Sequence, residues 1–152
     1  MLLNTFAKTH RNERGGTLIE FTVVASVFFL MLVGIVAAGN LYYTHNALVE
    51  ATRRGARFAV LNLDGSIADV QNVVVYGTPT PADGATSLIY NLQPDNVTVT
   101  YTGLNVAQGT VTVTIIDYSF PFVLPTSTTS VSMNGYRTTL TGESAGLIPP
   151  DI

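Results

Sequence analysis

The sequence contains no cysteine and is poor in charge. Without cysteine it has neither a disulfide scaffold nor a thiolate metal site, although this alone does not fix the compartment. Charged residues make up 11% of the 152 residues, whereas an ordinary soluble domain has roughly 25%. The hydrophobic content of 47% is not unusual. A membrane segment, or a surface that packs against neighbouring chains, would account for this shortage of charge.

The few charges are unevenly distributed along the chain. Six of the seven basic residues come before Phe58. From Phe58 onward Arg137 is the only base, against seven acids, which gives this part a net charge of −6. Such a surface repels phosphate backbones, so we expect no nucleic-acid partner.

Residues 21–40 form a run of 20 residues without any charge. About 20 helical residues, at ~1.5 Å each, cover the ~30 Å hydrocarbon core of a bilayer. Tyr42 and Tyr43 follow, where interfacial aromatic residues belong. The pattern predicts a transmembrane helix over about residues 21–41.

The same helix is expected to continue beyond the membrane. No proline occurs between Leu41 and Val60, and apolar residues recur there at near-heptad spacing at Leu41, Leu48, Ala51 and Phe58. Gly55 is the weakest point, since glycine costs about 1 kcal/mol relative to alanine in a helix. We therefore predict one long helix over residues 16–60.

The remaining sequence predicts a short helix followed by strands. Ser66 and Asp69 have the spacing of a capping box, and Gly77 can end the helix. Alternation begins at Val97 and again at Val111, and its change of phase predicts a β-bulge near Ile115–Ile116. Asn134-Gly135 predicts a hairpin. The expected fold class is α+β, with a small antiparallel sheet packed on the outer half of the long helix.

The most unusual position is Glu20, at the threshold of the charge-free run in "RGGTLIEF" (14–21). An ionised carboxylate in hydrocarbon costs at least a few kcal/mol, so an acid there is a functional candidate. A structural explanation also exists, since an acid in the first turn of a helix complements the helix dipole. That explanation does not account for the preceding "RGG".

"RGGTLIEF" followed by an apolar stretch resembles the processing site of type IV prepilins. The resemblance implies that a prepilin peptidase cuts after Gly15, so that Gly16 becomes the N-terminus and Glu20 the fifth residue. A first residue that is large and apolar is more usual in that family than glycine. The Glu20-Phe21 pair and "ALVEATRRGARFAV" (47–60) further resemble TadE-like pseudopilins of tight-adherence (Tad) pili.

The resemblance implies a minor pilin or pseudopilin that takes part in the assembly or structure of a Tad adhesion pilus. It assigns an assembly role to Glu20 and Phe21, and Gly34 and Ala38 offer a small patch for close helix contact. The implied partners are prepilin peptidase, other pilin subunits, the pilus assembly machinery and inner-membrane lipid. Neither a cofactor nor a metal is expected, and the protein is expected not to be an enzyme.

The predicted organisation has three parts: a leader (1–15), the long helix (16–60) and an exported globular region (61–152). Basic residues flank the apolar run almost equally on both sides, so charge alone does not orient it. Prepilin peptidase cuts on the cytoplasmic side, and the resemblance therefore places the C-terminal region outside the cytoplasm. We expect a single-pass protein of the bacterial inner membrane that can also become extracellular in the pilus.

Three other interpretations remain open from the sequence. A bitopic protein that never polymerises would keep its leader and carry an exported binding domain. A conventional secreted protein would be cut near residues 36–38. "GESAG" (142–146) matches a nucleophile elbow around Ser144, but two prolines follow it and both histidines, His10 and His45, precede it. Neither histidine has a neighbouring ligand at metal spacing, so both are expected to be solvated or interfacial.

Overall fold

The computed structural model describes residues 14–62, 65–103, 109–124, 127–133 and 135–142. The chain divides into two compact units, Met1–Val36 and Ala37–Ile152. The elements in chain order are α1 (Arg14–Leu61), α2 (Ile67–Tyr76), a 3-10 turn (Pro94–Asn96), β1 (Val97–Thr102), β2 (Thr110–Ile115), β3 (Tyr118–Leu124), β4 (Ser127–Met133) and β5 (Tyr136–Thr141). Two helices with small antiparallel sheets confirm the predicted α+β class.

α1 is continuous and extends slightly beyond the predicted bounds at both ends. It is long and apolar enough to cross a membrane, and its most apolar stretch is not buried against any other described residue. Within that stretch, Thr22 donates its hydroxyl to the Leu18 carbonyl at 2.8 Å, and Ser26 donates to the Thr22 carbonyl at 2.7 Å. The helix thus satisfies its own hydroxyl groups, as a lipid environment requires.

The outer part of α1 forms one wall of the hydrophobic core. Leu48 and Ala51 are buried, and Leu41 and Phe58 are partly buried, which confirms the predicted apolar stripe. α2 packs against this wall. Its N-terminus has the predicted capping box between Ser66 and Asp69, and Gly77 ends the helix in a left-handed conformation, at φ 83°.

A three-stranded antiparallel sheet in the order β1-β2-β5 provides the other side of the core. Its central strand buries Val111, Val113 and Ile115, and β1 buries Val97 beside them. Polar contacts also connect this sheet to α1, since the Thr52 and Thr138 hydroxyl oxygens lie 2.9 Å apart. A second antiparallel sheet consists of β3 and β4 alone, so the one predicted sheet is in fact two.

Two local predictions within the strands are wrong. β4 and β5 belong to different sheets, so Asn134-Gly135 does not join a hairpin; Asn134 itself lies outside the described residues. The expected β-bulge is also absent from the described strands, because Ile115 pairs with Tyr136 and Tyr118 pairs with Met133. Two residues separate these pairs on each strand, whereas a bulge places an extra residue on one strand only.

A symmetric break in one long hairpin therefore replaces the predicted bulge. On one strand Asp117 has φ 53°, and on the other Gly135 has φ 89°. The Asn96 side chain donates to the Ile116 and Asp117 carbonyls, both at 3.3 Å, and the Ile116 amide donates to the Asn96 carbonyl at 2.8 Å. The predicted change of phase is real, since Ile115 and Tyr118 are both buried although they lie three residues apart.

Gly55 lies where α1 closely approaches Val74 of α2. A Cβ atom added there would overlap the Cγ2 methyl of Val74, a stiff and fully buried side chain. Overpacking of a core costs about 1–3 kcal/mol, which exceeds the gain of about 1 kcal/mol in helix propensity. We expect Gly55→Ala to lower the thermal unfolding midpoint of the detergent-solubilised protein, measured by circular dichroism.

Gly39→Ala is the matched control, because a Cβ at Gly39 meets no atom within 4 Å. This variant should leave the midpoint unchanged or raise it. An equal rise for both variants would contradict the role of Gly55 as a packing position.

Candidate functional site

The first two turns of α1 carry the residues of the predicted processing site. Gly15 and Gly16 are exposed, so the peptide bond between them is accessible. Glu20 and Phe21 follow within the same helix, and the Phe21 side chain is 71% exposed. As successive helical residues they point about 100° apart, so they offer a carboxylate and an apolar ring to different neighbours.

The helix-dipole explanation of Glu20 does not fit the uncleaved chain. α1 begins at Arg14, and its first turn contains no acidic residue. The stabilisation of an acid by the helix dipole falls off beyond the first turn. The carboxylate therefore lies exposed at the edge of the apolar stretch with no favourable helix-end interaction to offset its cost.

Gly34 and Ala38 are both in α1, one turn apart. A Cβ atom added at Gly34 meets nothing within 4 Å, so its surface is open to a neighbouring molecule. Ala38 is also exposed and forms part of the apolar groove described next. Close helix contact at these two residues remains a prediction.

An apolar groove of about 380 Å³ lies at the beginning of the second unit. Its lining comes from α1 and β4: Ala38, Leu41, Tyr42, His45, Val131 and Met133. At one edge, Nδ1 of His45 lies 2.8 Å from the hydroxyl oxygen of Tyr136, and the two rings meet edge to face. The sequence predicted a solvated or interfacial histidine; His45 is exposed but has this defined partner.

Tyrosine hydroxyls occupy several sites near the core. Tyr118 is buried and donates to the Tyr90 carbonyl at 2.8 Å. Desolvation raises the pKa of Tyr118, with a smaller contribution from Tyr136, and burial raises the pKa of Tyr136 and of Tyr101. All three therefore remain neutral near pH 7. The hydroxyls of Tyr118 and Tyr136 have hydrogen-bond partners, whereas the buried hydroxyl of Tyr101 has none among the described residues.

Arg53, Arg54 and Arg57 form a cluster on α1, and it contains a structural residue that sequence reasoning missed. Arg53 and Arg57 are exposed, but Arg54 donates from Nε to the Val73 carbonyl and from Nη2 to the Val74 carbonyl, both at 3.1 Å. These carbonyls lie in the last turn of α2, where a cation also complements the helix dipole. The contact could have been anticipated from the spacing in the sequence, because Arg54 lies on the same face of the helix as Ala51 and Phe58.

The described residues offer no group of three metal-ligating side chains. Ser144 and the rest of "ESAG" (143–146) lie outside the described residues, as do His10 and the leader up to residue 13. The main features of the described residues are an exposed apolar helix, a carboxylate at its edge and an apolar groove.

A long exposed apolar helix that continues into a small α+β region fits the class of pilin-like proteins. Residues 15–57 match the model of the family described as TadE-like protein. No curated protein and no solved structure matches the chain. The long helix is therefore TadE-like, which suggests a protein associated with a Tad pilus.

The contact between Arg54 and α2 leads to a prediction about stability. Arg54→Met retains much of the aliphatic side chain but leaves the two α2 carbonyls without the guanidinium. Hydrogen bonds to charged groups contribute about 1.5–3 kcal/mol, so we expect a loss of this size in the free energy of unfolding. Chemical denaturation in detergent measures it.

Arg53→Met is the matched control, because Arg53 is exposed and lies next in the chain. It should change stability by less than about 0.5 kcal/mol. If the two variants were equally stable, Arg54 would be no more than a surface charge.

Proposed function

We propose that this protein is a minor pilin or pseudopilin that takes part in the assembly or structure of a Tad adhesion pilus. The observation that carries the proposal is the TadE-like match over residues 15–57, which begins at the glycine that would end a basic leader. The exposed apolar helix and the absence of a metal-binding cluster among the described residues are compatible with this role.

Processing is the first step of the proposed function. A prepilin peptidase removes residues 1–15 and leaves Gly16 as the mature N-terminus. The exposure of Gly15 and Gly16 supports this step, since a protease needs access to the bond that it cuts. The mature protein then consists of the long helix, to residue 60, and the globular region over residues 61–152.

Glu20 acts after processing, as an assembly residue. The new α-amine of Gly16 is a cation, and in a neighbouring subunit it pairs with the Glu20 carboxylate. Pairing removes the penalty of a lone charge in lipid or in a filament interior, and it fixes the axial register between helices. Phe21 supplies an adjacent apolar contact, and Gly34 and Ala38 permit close helix approach.

The location of the protein follows from the same scheme. α1 crosses the bacterial inner membrane over about residues 21–41, with its N-terminus in the cytoplasm and the acidic region outside it. Incorporation into the pilus would make the protein extracellular. Its partners are the peptidase, the other pilin subunits, the assembly machinery and membrane lipid.

The processing step can be tested by the intact mass and N-terminal sequence of protein recovered from bacterial membranes. We expect a start at Gly16. Gly15→Val should block cleavage and retain Met1, because the peptidase recognises a leader that ends in glycine, whereas the control Gly16→Ala should still be cut. An intact wild-type Met1 would favour the bitopic alternative, and a start near Gly39 would indicate a conventional secreted protein.

The assembly role of Glu20 can be tested with Glu20→Ala in cells that produce the pilus. Membrane insertion should be normal, but co-purification with other pilus components should fall at least about tenfold, which corresponds to 1.4 kcal/mol. Glu50→Ala is the control, since Glu50 is an exposed acid in the outer part of the same helix. Unchanged co-purification of the Glu20 variant would exclude the pairing.

A further inference from the structure

The hairpin formed by β3 and β4 has two chemically different faces. No charged residue occurs from Tyr118 to Met133. On one face Tyr118 pairs with Met133, Phe120 with Val131 and Phe122 with Thr129. On the opposite face Ser119 pairs with Ser132 and Pro121 with Ser130. The hairpin is therefore amphipathic without being charged, which is unusual beside a region of net negative charge.

The apolar face of this hairpin lies beside the end of the charge-free run of α1. Val131 and Met133 line the groove together with Ala38, Leu41 and Tyr42. Tyr42 and Tyr43, the predicted interfacial aromatics, are 70% and 74% exposed, and Val131 is 37% exposed. Where α1 leaves a membrane, the groove is at the height of the lipid interface.

The strand direction places the hairpin on the membrane side of the globular region. Thr138 of β5 meets α1 at Thr52, and Tyr136 meets it one to two turns nearer the apolar run, at His45. β4 continues this progression, because Met133 and Val131 meet the helix in the groove. The hairpin therefore contacts α1 as far as Ala38, near the beginning of the second unit.

Polar and apolar groups are also ordered within the groove. His45 and Tyr136 form the hydrogen-bonded edge on the side that leads to the globular region. The other lining residues, apart from the hydroxyl of Tyr42, are apolar. This order matches a phospholipid, whose acyl chain needs apolar walls and whose glycerol and headgroup need hydrogen-bonding groups above them.

We propose that the β3–β4 hairpin is a second membrane contact, in which the groove holds an acyl chain of a phospholipid from the leaflet where α1 emerges. The inference rests on the part of the proposed function in which α1 crosses the membrane. It does not depend on leader cleavage or on pilus assembly.

The size of the groove favours a lipid over a second copy of the chain. A stable protein interface buries about 800 Å² on each partner, from some 20–30 residues. The groove is lined by six residues and has a volume of about 380 Å³, within the ~300–1,000 Å³ typical of small-ligand sites. An acyl chain is a ligand of that size and chemistry.

The absence of cysteine from the chain permits a clean labelling experiment. Single-cysteine variants of the full-length protein are labelled with an environment-sensitive fluorophore and reconstituted into phosphatidylethanolamine–phosphatidylglycerol vesicles. A fraction of the lipid carries a nitroxide near the headgroup end of its acyl chain. Thr129→Cys reports on the apolar face of the hairpin, and Ser130→Cys is its matched control on the opposite face; both side chains are exposed.

We expect the probe at position 129 to lose most of its fluorescence to the nitroxide lipid and the probe at position 130 to lose little. Ile35→Cys, in the apolar run, tests the membrane span independently. Quenching at position 35 but not at position 129 would overturn the hairpin contact and leave the span intact. No quenching at position 35 would refute the span, and with it the lipid contact.

Two further outcomes would also overturn the inference. Equal quenching at positions 129 and 130 would mean that the hairpin approaches lipid without using its apolar face. A blue shift at position 129 that depends on the protein-to-lipid ratio, without quenching, would identify a second copy of the chain as the occupant of the groove.

Discussion

The unbroken backbone hydrogen bonding of α1 is the constraint on which the other features depend. Its 48 residues form one helix, although the apolar part is suited to lipid and the outer part to a protein core. In the apolar part every backbone group has to be satisfied inside the helix, because lipid offers no partner. In the outer part the same backbone hydrogen bonds maintain the helix that forms one side of the hydrophobic core. The absence of proline from Arg14 to Leu61 makes both possible.

Three polar side chains on the outer part of α1 each reach a different partner. His45 contacts Tyr136, Thr52 contacts Thr138, and Arg54 contacts the end of α2. The burial of apolar side chains supplies most of the stabilisation of the fold, but it does not favour one orientation of an element over another. The directional contacts therefore determine the rotation and axial position of each element along the helix. A smooth apolar stripe would allow the sheet to slide along α1.

Much of this fold could be predicted from the sequence because the relevant signals are local. The helix bounds, the Ser66–Asp69 capping box and the alternation from Val97 to Tyr101 each depend on neighbouring residues. The predicted bulge and hairpin were wrong because their outcome depends on distant partners. Asn96 binds the chain at the break, and β5 pairs with β2 whereas β4 pairs with β3.

The same difference between local signals and contacts with distant residues applies to the candidate site. Gly15, Gly16, Glu20 and Phe21 form a local motif that is recognisable without coordinates, and the family match begins at the first of them. The roles of Arg54 and His45 depend on residues far away in the chain, so composition and spacing alone could not assign them. The groove was also not predictable, because its two walls are separated by about ninety residues of sequence.

The symmetric break between the two sheets limits how the chain can change in length. Since two residues separate the paired stretches on each strand, loss of one residue from either strand would shift the register by one and exchange the inner and outer faces of the residues beyond it. A matched loss from both strands would preserve the facing of every side chain. Single-residue insertions and deletions should therefore be excluded at residues 116–117.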